Sequence, residues 1–231
     1  MLEALLQIPA VAAAGGGSGL NGNPTTLIAG DSNAGFYGET AGSQLITGTA
    51  LASAIGLGAG SDINSTGGWL KFSWKGKPLY IAKMPFRDSC PWQYIYQCGA
   101  VYGDDTVGTY PSGFNRVQDA RVTINGVVHR VRLMHMALTA TSPHGVRPVA
   151  GTEANDLWLA IKANAGGLAS YTDAQVGQPT GSYYFSGIES MTGTTTMCLL
   201  MNTALQLSND NKTQANVNGV HFLWRPVLEP I

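Results

Sequence analysis

Residues 69–83 read Trp69-Leu70-Lys71-Phe72-Ser73-Trp74-Lys75-Gly76-Lys77-Pro78-Leu79-Tyr80-Ile81-Ala82-Lys83. Two runs rich in aromatic and β-branched residues flank a tight Lys75-Gly76-Lys77 turn, which is the signature of a β-hairpin. The pattern recurs downstream. Residues 119–124 (DARVTI) and 127–133 (VVHRVRL) flank Asn125-Gly126, and Asn-Gly between alternating runs is the strongest short hairpin signal. Two antiparallel hairpins separated by about thirty-five residues rule out a simple βαβ repeat and set the class as α+β.

Helical patterns fill the space around the hairpins. Residues 43–58 carry Leu45, Ile46, Ala50, Leu51, Ala54 and Ile55 at roughly helical spacing, weakened by Gly48 and ended by Gly56-Leu57-Gly58. Residues 91–98 (PWQYIYQC) predict a short helix with Ser89 as N-cap, Pro91 in the first turn and Gly99 as terminator. Residues 153–163 (EANDLWLAIKA) predict an amphipathic helix with Leu157, Trp158 and Ile161 inward. Short strands are expected over 25–29 and, as strand or helix, over 197–205. One closing strand is expected over 219–229 (GVHFLWRPVLE). No internal repeat is present.

The 231 residues suffice for one large domain with its own core, without disulfides or metal. That domain is assigned to 27–231. Residues 1–26 read as an arm: Leu2, Leu5, Leu6 and Ile8 form an apolar tip on the tether Ala12-Ala13-Ala14-Gly15-Gly16-Gly17-Ser18-Gly19. An apolar tip on a glycine tether cannot bury itself alone, so docking onto a neighbouring subunit or oligomerisation is its expected role. The start lacks a basic n-region, carries Glu3, and is too short to span a bilayer. No membrane insertion is expected.

Charged residues make up only 12% of the chain, about half the usual share. A surface covered by Ser, Thr, Asn, Gln and Gly suits a chain held in a large assembly, or one exported outside the cell. The net charge of −1 provides no field for nucleic acid, and none is expected as a partner. The basic residues Lys71, Lys75, Lys77, Lys83 and Arg87, and the cluster Arg116, Arg121, Arg130 and Arg132, read as solvated strand faces and inter-subunit ion pairs. Cys90, Cys98 and Cys198 lack CxxC spacing and read as buried thiols, in keeping with assembly in a reducing cytoplasm.

No catalytic set is complete. Gly30-Asp31-Ser32 after Leu27-Ile28-Ala29 resembles the nucleophile block of SGNH-type esterases, which place a serine at a strand end with a distant His and Asp. That family also requires a Gly-x-Asn-Asp block and a late Asp-x-x-His. Asn209-Asp210 lacks the glycine, and His221 has Asn218 three residues earlier. An esterase using Ser32 is therefore the remote alternative, and a turn in which Asp31 or Ser32 bonds backbone amides is the simpler reading. His129, His135, His144 and His221 stand in no metal-ligand spacing. Gly103-Asp104-Asp105-Thr106 and Asn209-Asp210-Asn211 lack a full calcium-loop pattern. No enzyme activity, catalytic residue, metal or cofactor is expected.

A succession of short motifs points elsewhere. Gly38-Glu39, Leu45-Ile46-Thr47-Gly48, Gly68-Trp69-Leu70-Lys71-Phe72, Gly76-Lys77, Ile81-Ala82-Lys83, Trp92 with Ile95-Tyr96, and Ala100-Val101-Tyr102-Gly103 stand in this order. The Asn125-Gly126 hairpin with Arg130-Val131-Arg132-Leu133 follows, and Trp224-Arg225-Pro226-Val227-Leu228-Glu229 closes the series. The series resembles bacteriophage virion proteins of the tail-fibre or virion-structural type, over roughly 36–133 and 219–231. The resemblance implies a C-type-lectin-like α+β domain whose terminal strand pairs with early strands. It implies a tail, collar or fibre component that displays this domain for host attachment. The chain departs from the pattern in its middle, where Asn155-Asp156-Leu157-Trp158 is only similar to a Glu-Trp helix and a tyrosine-rich run replaces tryptophans.

The expected partners are other virion proteins, copies of the chain itself as a homo-oligomer (a trimer among the options), and a host-surface glycan or protein. The expected location is the virion, assembled in the bacterial host cytoplasm. The display surface is expected at Tyr171, Tyr183, Tyr184, Asn209 and Asn211, in loops with few charges. The competing reading is a purely structural capsid-decoration or tail-connector protein.

Overall fold

The computed structural model describes residues 23–104, 116–136, 150–163, 167–177, 184–191, 197–201, 207–208 and 222–231. In chain order the strands are β1 (Ala29–Gly30), β2 (Ala34–Thr40), β3 (Ser61–Asp62), β4 (Trp69–Trp74), β5 (Lys77–Ala82) and β6 (Arg87–Asp88). They continue with β7 (Arg121–Ile124), β8 (Val127–Arg132), β9 (Tyr184–Met191), β10 (Met197–Met201), β11 (Leu207–Ser208), β12 (Phe222–Leu223) and β13 (Val227–Pro230). Short helices α1 (Gly48–Ala54) and α2 (Trp92–Gln97) precede β7. A π-helical turn, Ala154–Leu159, runs into α3 (Ala160–Ala163). The class is α+β and mostly antiparallel, as the pattern of hairpins predicts.

Both hairpins form. The Lys75-Gly76 and Asn125-Gly126 turns have positive φ at both central residues (50° and 80°, 51° and 79°). This is the primed turn whose twist matches right-handed strands. The main sheet runs β1-β2-β4-β5-β13-β8-β7, and the late strand β13 joins the two hairpins by pairing antiparallel with β5 and β8. A second sheet, β11-β10-β9-β12, includes the one parallel pair among the described strands, β9 with β12.

Both faces of the main sheet are covered. On one, Trp69, Tyr80, Ala82, Val131 and Leu228 pack with Leu51 of α1 and Trp92, Ile95 and Tyr96 of α2. On the other, Leu70, Phe72, Leu79, Ile81 and Val227 pack with Leu157, Trp158 and Ile161 of the helical segment. Ladder register agrees with this sorting: Leu70 faces Ile81, which faces Val227, while Leu228 lies between Tyr80 and Val131. Burial of both faces explains why β4 and β5 are more apolar than simple in-out alternation requires.

Three local expectations are corrected. Ser89 does not cap α2. Pro91 is the N-cap residue, while Ser89 sits at φ 53° with its amide on its neighbour's Asp88 carboxylate. Proline's fixed φ and missing donor suit the helix entry by themselves. Gly48 does not weaken α1 but starts it: Thr47 caps the helix, and a Cβ at Gly48 would lie 2.5 Å from the Phe86 ring. The closing segment is two strands in two sheets. Pro226 has no N–H for a ladder, and Arg225 turns inward to donate to the carbonyls of Ala82, Lys83 and Val176 while stacking on Trp158 at 4.1 Å. Residues 219–221 of the expected strand lie outside the described residues.

The helix expected over 153–163 does form with Leu157, Trp158 and Ile161 buried, although its first part is π-helical. The basic residues make ion pairs inside the chain: Lys83 with Glu39, Arg87 with Asp62, and Arg121 and Arg130 with Asp119. Asn23 and Pro24 already grip the body. The Asn23 amide donates to the Tyr80 hydroxyl, and Lys71 Nζ donates to the Pro24 carbonyl.

Candidate functional site

A cleft of about 400 Å³ lies at one end of the main sheet. The β4–β5 turn supplies Trp74, Lys75 and Lys77. β8 supplies Arg132, β13 supplies Glu229, and the entry to the π-helical turn supplies Glu153. Tyr102, Gly103 and Asp104, beyond α2, close one side, and His135 another.

The floor is an ionic network. Arg132 is held bidentately by Glu153, with Nη2 to Oε1 at 2.6 Å and Nη1 to Oε2 at 2.8 Å. Its Nε donates to Glu229 Oε2 at 3.1 Å, and Nη1 also reaches the Leu133 carbonyl. Glu153 is 1% exposed and accepts a further bond from the His135 backbone N–H. Burial alone would raise the Glu153 carboxyl's pKa. The Arg132 charge and its two hydrogen bonds outweigh that and hold it below the usual carboxylate value. Burial alone would likewise lower the Arg132 pKa, and the two carboxylates raise it instead. Gly103 makes the close packing feasible. Its φ is +69°, and a Cβ there would lie 2.6 Å from Arg132 Cδ.

The rim is different in character. Lys75 Nζ lies 5.0 Å from the Trp74 ring centroid. The Lys77 side chain is 72% exposed, and its Nζ is 3.9 Å from Glu229 Oε1, outside hydrogen-bond range. The cleft therefore combines an internally compensated floor with two rim lysines, the Asp104 carboxylate and an indole wall. Such a surface is suited to holding a polar ligand.

The residues singled out from sequence fall mostly elsewhere. Ser32 occupies the exposed turn between β1 and β2. Asp31 accepts from the amides of Asn33 and Ala34, and the Ser32 carbonyl accepts from Gly76. That is an Asx turn supporting a hairpin. Tyr171 is half-buried, and its hydroxyl donates to Glu39, which also pairs with Lys83. Burial, then the Glu39 charge, push its pKa up. It is a tethered residue, and Tyr184 lies in β9. Leu2, Leu5, Leu6 and Ile8 of the arm, with Tyr183, Asn209 and Asn211, lie outside the described residues.

Cys90 is fully buried and its thiol is pushed up to about 12 by burial, whereas Cys98 is half-buried. His129 is buried in β8 and His135 is exposed, and no cluster of three metal-binding side chains occurs among the described residues. Gly103 and Asp104 line the cleft, while Asp105 and Thr106 of the oxygen-rich loop lie outside the described residues. No helix of the described residues is long and apolar enough to cross a membrane.

Sequence reading did not single out the cleft. Arg132 stands 21 residues from Glu153 and 97 from Glu229, so no local spacing announces the network. The available signal was Arg132 between Val131 and Leu133 in a strand, a charge placed where burial is expected on both sides. Compared with known proteins, the chain matches no family model, no curated protein and no solved structure.

Proposed function

We propose that the chain is a bacteriophage virion structural protein, a tail, collar or fibre component that displays a C-type-lectin-like α+β domain for host attachment. The observation that carries the proposal is the position of β13. The late Arg225-Pro226-Val227-Leu228-Glu229 segment lies between the β4–β5 and β7–β8 hairpins, and pairing of a terminal strand with early strands is what the motif resemblance implies. The charge-poor composition supports residence in an assembly. The cleft over β5, β8 and β13 supplies a binding surface on a rigid scaffold.

In this reading the domain acts by binding, without catalysis. Copies of the chain associate with one another and with other virion proteins, and residues 1–26 form the docking arm. Many weak contacts add through effective concentration when the domain is displayed in multiple copies.

The test is gold-labelled antibody against the chain on intact particles, together with adsorption of particles to host cells in the presence of excess purified chain. Labelling at the tail or collar and competition for adsorption are expected. Labelling confined to the capsid without competition would favour the decoration reading and sink this one. Deleting residues 1–22, which keeps the Asn23 and Pro24 contacts with the body, should abolish incorporation while leaving a folded domain, and unchanged incorporation would remove the arm from the proposal.

A further inference from the structure

We infer that the cleft at the end of the main sheet binds an acidic saccharide, a sugar chain bearing carboxylates. The inference deepens the display reading, on which it rests for its setting, but its chemistry comes from the cleft. Three features converge on the same 400 Å³ space, a size within the range of about 300–1,000 Å³ typical of ligand pockets.

The first is the indole wall. Trp74, part-exposed at the end of β4, lines the cleft, and Lys75 Nζ lies 5.0 Å from its ring centroid, where it would move aside for a stacking sugar. An indole presents a flat apolar face that stacks on the C–H face of a pyranose. The second is the cationic rim. The Lys75 ammonium makes no hydrogen bond or ion pair among the described residues, and the Lys77 ammonium has only its 3.9 Å approach to Glu229. An ammonium carries three donors, so both lysines have capacity for an incoming carboxylate. The third is the floor. Glu229 gives Oε2 to Arg132, while its Oε1 accepts no hydrogen bond among the described residues and is open to a hydroxyl.

Arg132 itself cannot serve the ligand. Its guanidinium is consumed by Glu153, Glu229 and the Leu133 carbonyl, so anion binding falls to Lys75 and Lys77. A neutral sugar would leave the lysines unused. A bare sulfate or phosphate would leave Trp74 and Glu229 unused. A ring carrying both hydroxyls and a carboxylate uses all three features.

The experiment is calorimetric titration of the full chain with tetragalacturonate, its methyl ester, a short α2,8-linked polysialic acid and inorganic sulfate. Binding of at least one acidic chain is expected, and when it is tetragalacturonate the methyl ester binds at least tenfold more weakly. Affinity falls as salt shortens the screening length, and sulfate at millimolar concentration does not bind. The K75Q/K77Q and W74A variants each lose at least tenfold in affinity, with melting temperatures showing that the domain remains folded.

Binding of neither acidic chain, equal binding of acid and ester, or full affinity in K75Q/K77Q would overturn the inference. So would full affinity in W74A, which would mark simple ion exchange. The two readings fail separately. Purified chain that competes for particle adsorption yet binds no acidic saccharide leaves display standing and removes the ligand class. Saccharide binding without any effect on adsorption does the reverse.

Discussion

Replacing Arg132 with Met removes a cation from the centre of the cleft floor and keeps most of the side-chain volume. Glu153 would be left 1% exposed with its two charge-assisted hydrogen bonds gone. Breaking a buried pair from one side costs about 3–5 kcal/mol, because the surviving charge has neither water nor partner. Glu229 is less affected, since its side chain is 20% exposed and can recruit water. At about 2–4 °C per kcal/mol for a domain of this size, the melting temperature should fall by roughly 6–20 °C at pH 7.

The pH dependence gives a sharper test. In the native protein the Glu153 pKa is depressed, so its contribution is complete above the unfolded value and is lost as pH falls through the lower native one. In Arg132→Met the same carboxyl is raised by burial, and the penalty disappears once the pH is low enough for it to be protonated in both states. The stability gap between the two proteins should therefore narrow as pH drops below about 4.5 toward 3. A second substitution, Glu153→Leu, should recover much of the loss at pH 7, because an apolar replacement of a buried pair is often nearly neutral. Urea unfolding at pH 7, 5 and 3.5 measures all three proteins. A loss under about 1 kcal/mol, or a gap independent of pH, would refute the assignment of the floor as a buried, desolvated pair.

Other outcomes follow from the same physical terms. Arg225→Met should destabilise by about 3–5 kcal/mol, since the carbonyls of Ala82, Lys83 and Val176 lose a shared donor. Arg225→Lys should rescue little, because one ammonium cannot span both sides, and near-native stability of the lysine variant in thermal melts would contradict this. Cys90, with its thiol near 12, should be on the order of one part in ten thousand thiolate at pH 8. Peptide mapping after maleimide treatment of the native chain should then find Cys98 labelled well before Cys90, and the opposite order would count against the burial. Gly103→Ala should cost about 1–3 kcal/mol, through both the positive φ and the contact with Arg132 Cδ. Chemical denaturation that shows no loss would mean that the loop yields freely.

The elements most legible in the sequence were those specified by neighbours. Lys75-Gly76 and Asn125-Gly126 announce themselves because a primed two-residue turn demands positive φ, which few residue pairs tolerate. Leu157, Trp158 and Ile161 were readable as inward because a helical period survives the π-helical insertion. What local pattern misses is partnership at a distance. Gly48 looks like a helix breaker until Phe86 occupies the space a side chain would need. The basic residues read as surface or inter-subunit charges, yet their acids lie elsewhere in the same chain: Glu39 for Lys83, Asp62 for Arg87, Glu153 for Arg132. The cleft was missed for the same reason, because its floor comes from β8, β13 and a helix entry brought together only by folding.

The central place of β13 also has a consequence in time. The ribosome completes β8 roughly 95 residues before it reaches β13, which at about 5–20 residues per second is a wait of roughly 5–20 s. Throughout that interval β5 and β8 each present an open edge of backbone donors and acceptors, flanked by Tyr80, Ile81 and Val131. A nascent chain in this state is exposed to the same strand addition that β13 later performs. Expression at high level is then a race between synthesis of the last strand and pairing between neighbouring chains, and a peptide copy of residues 224–231 supplied in trans would shift that race.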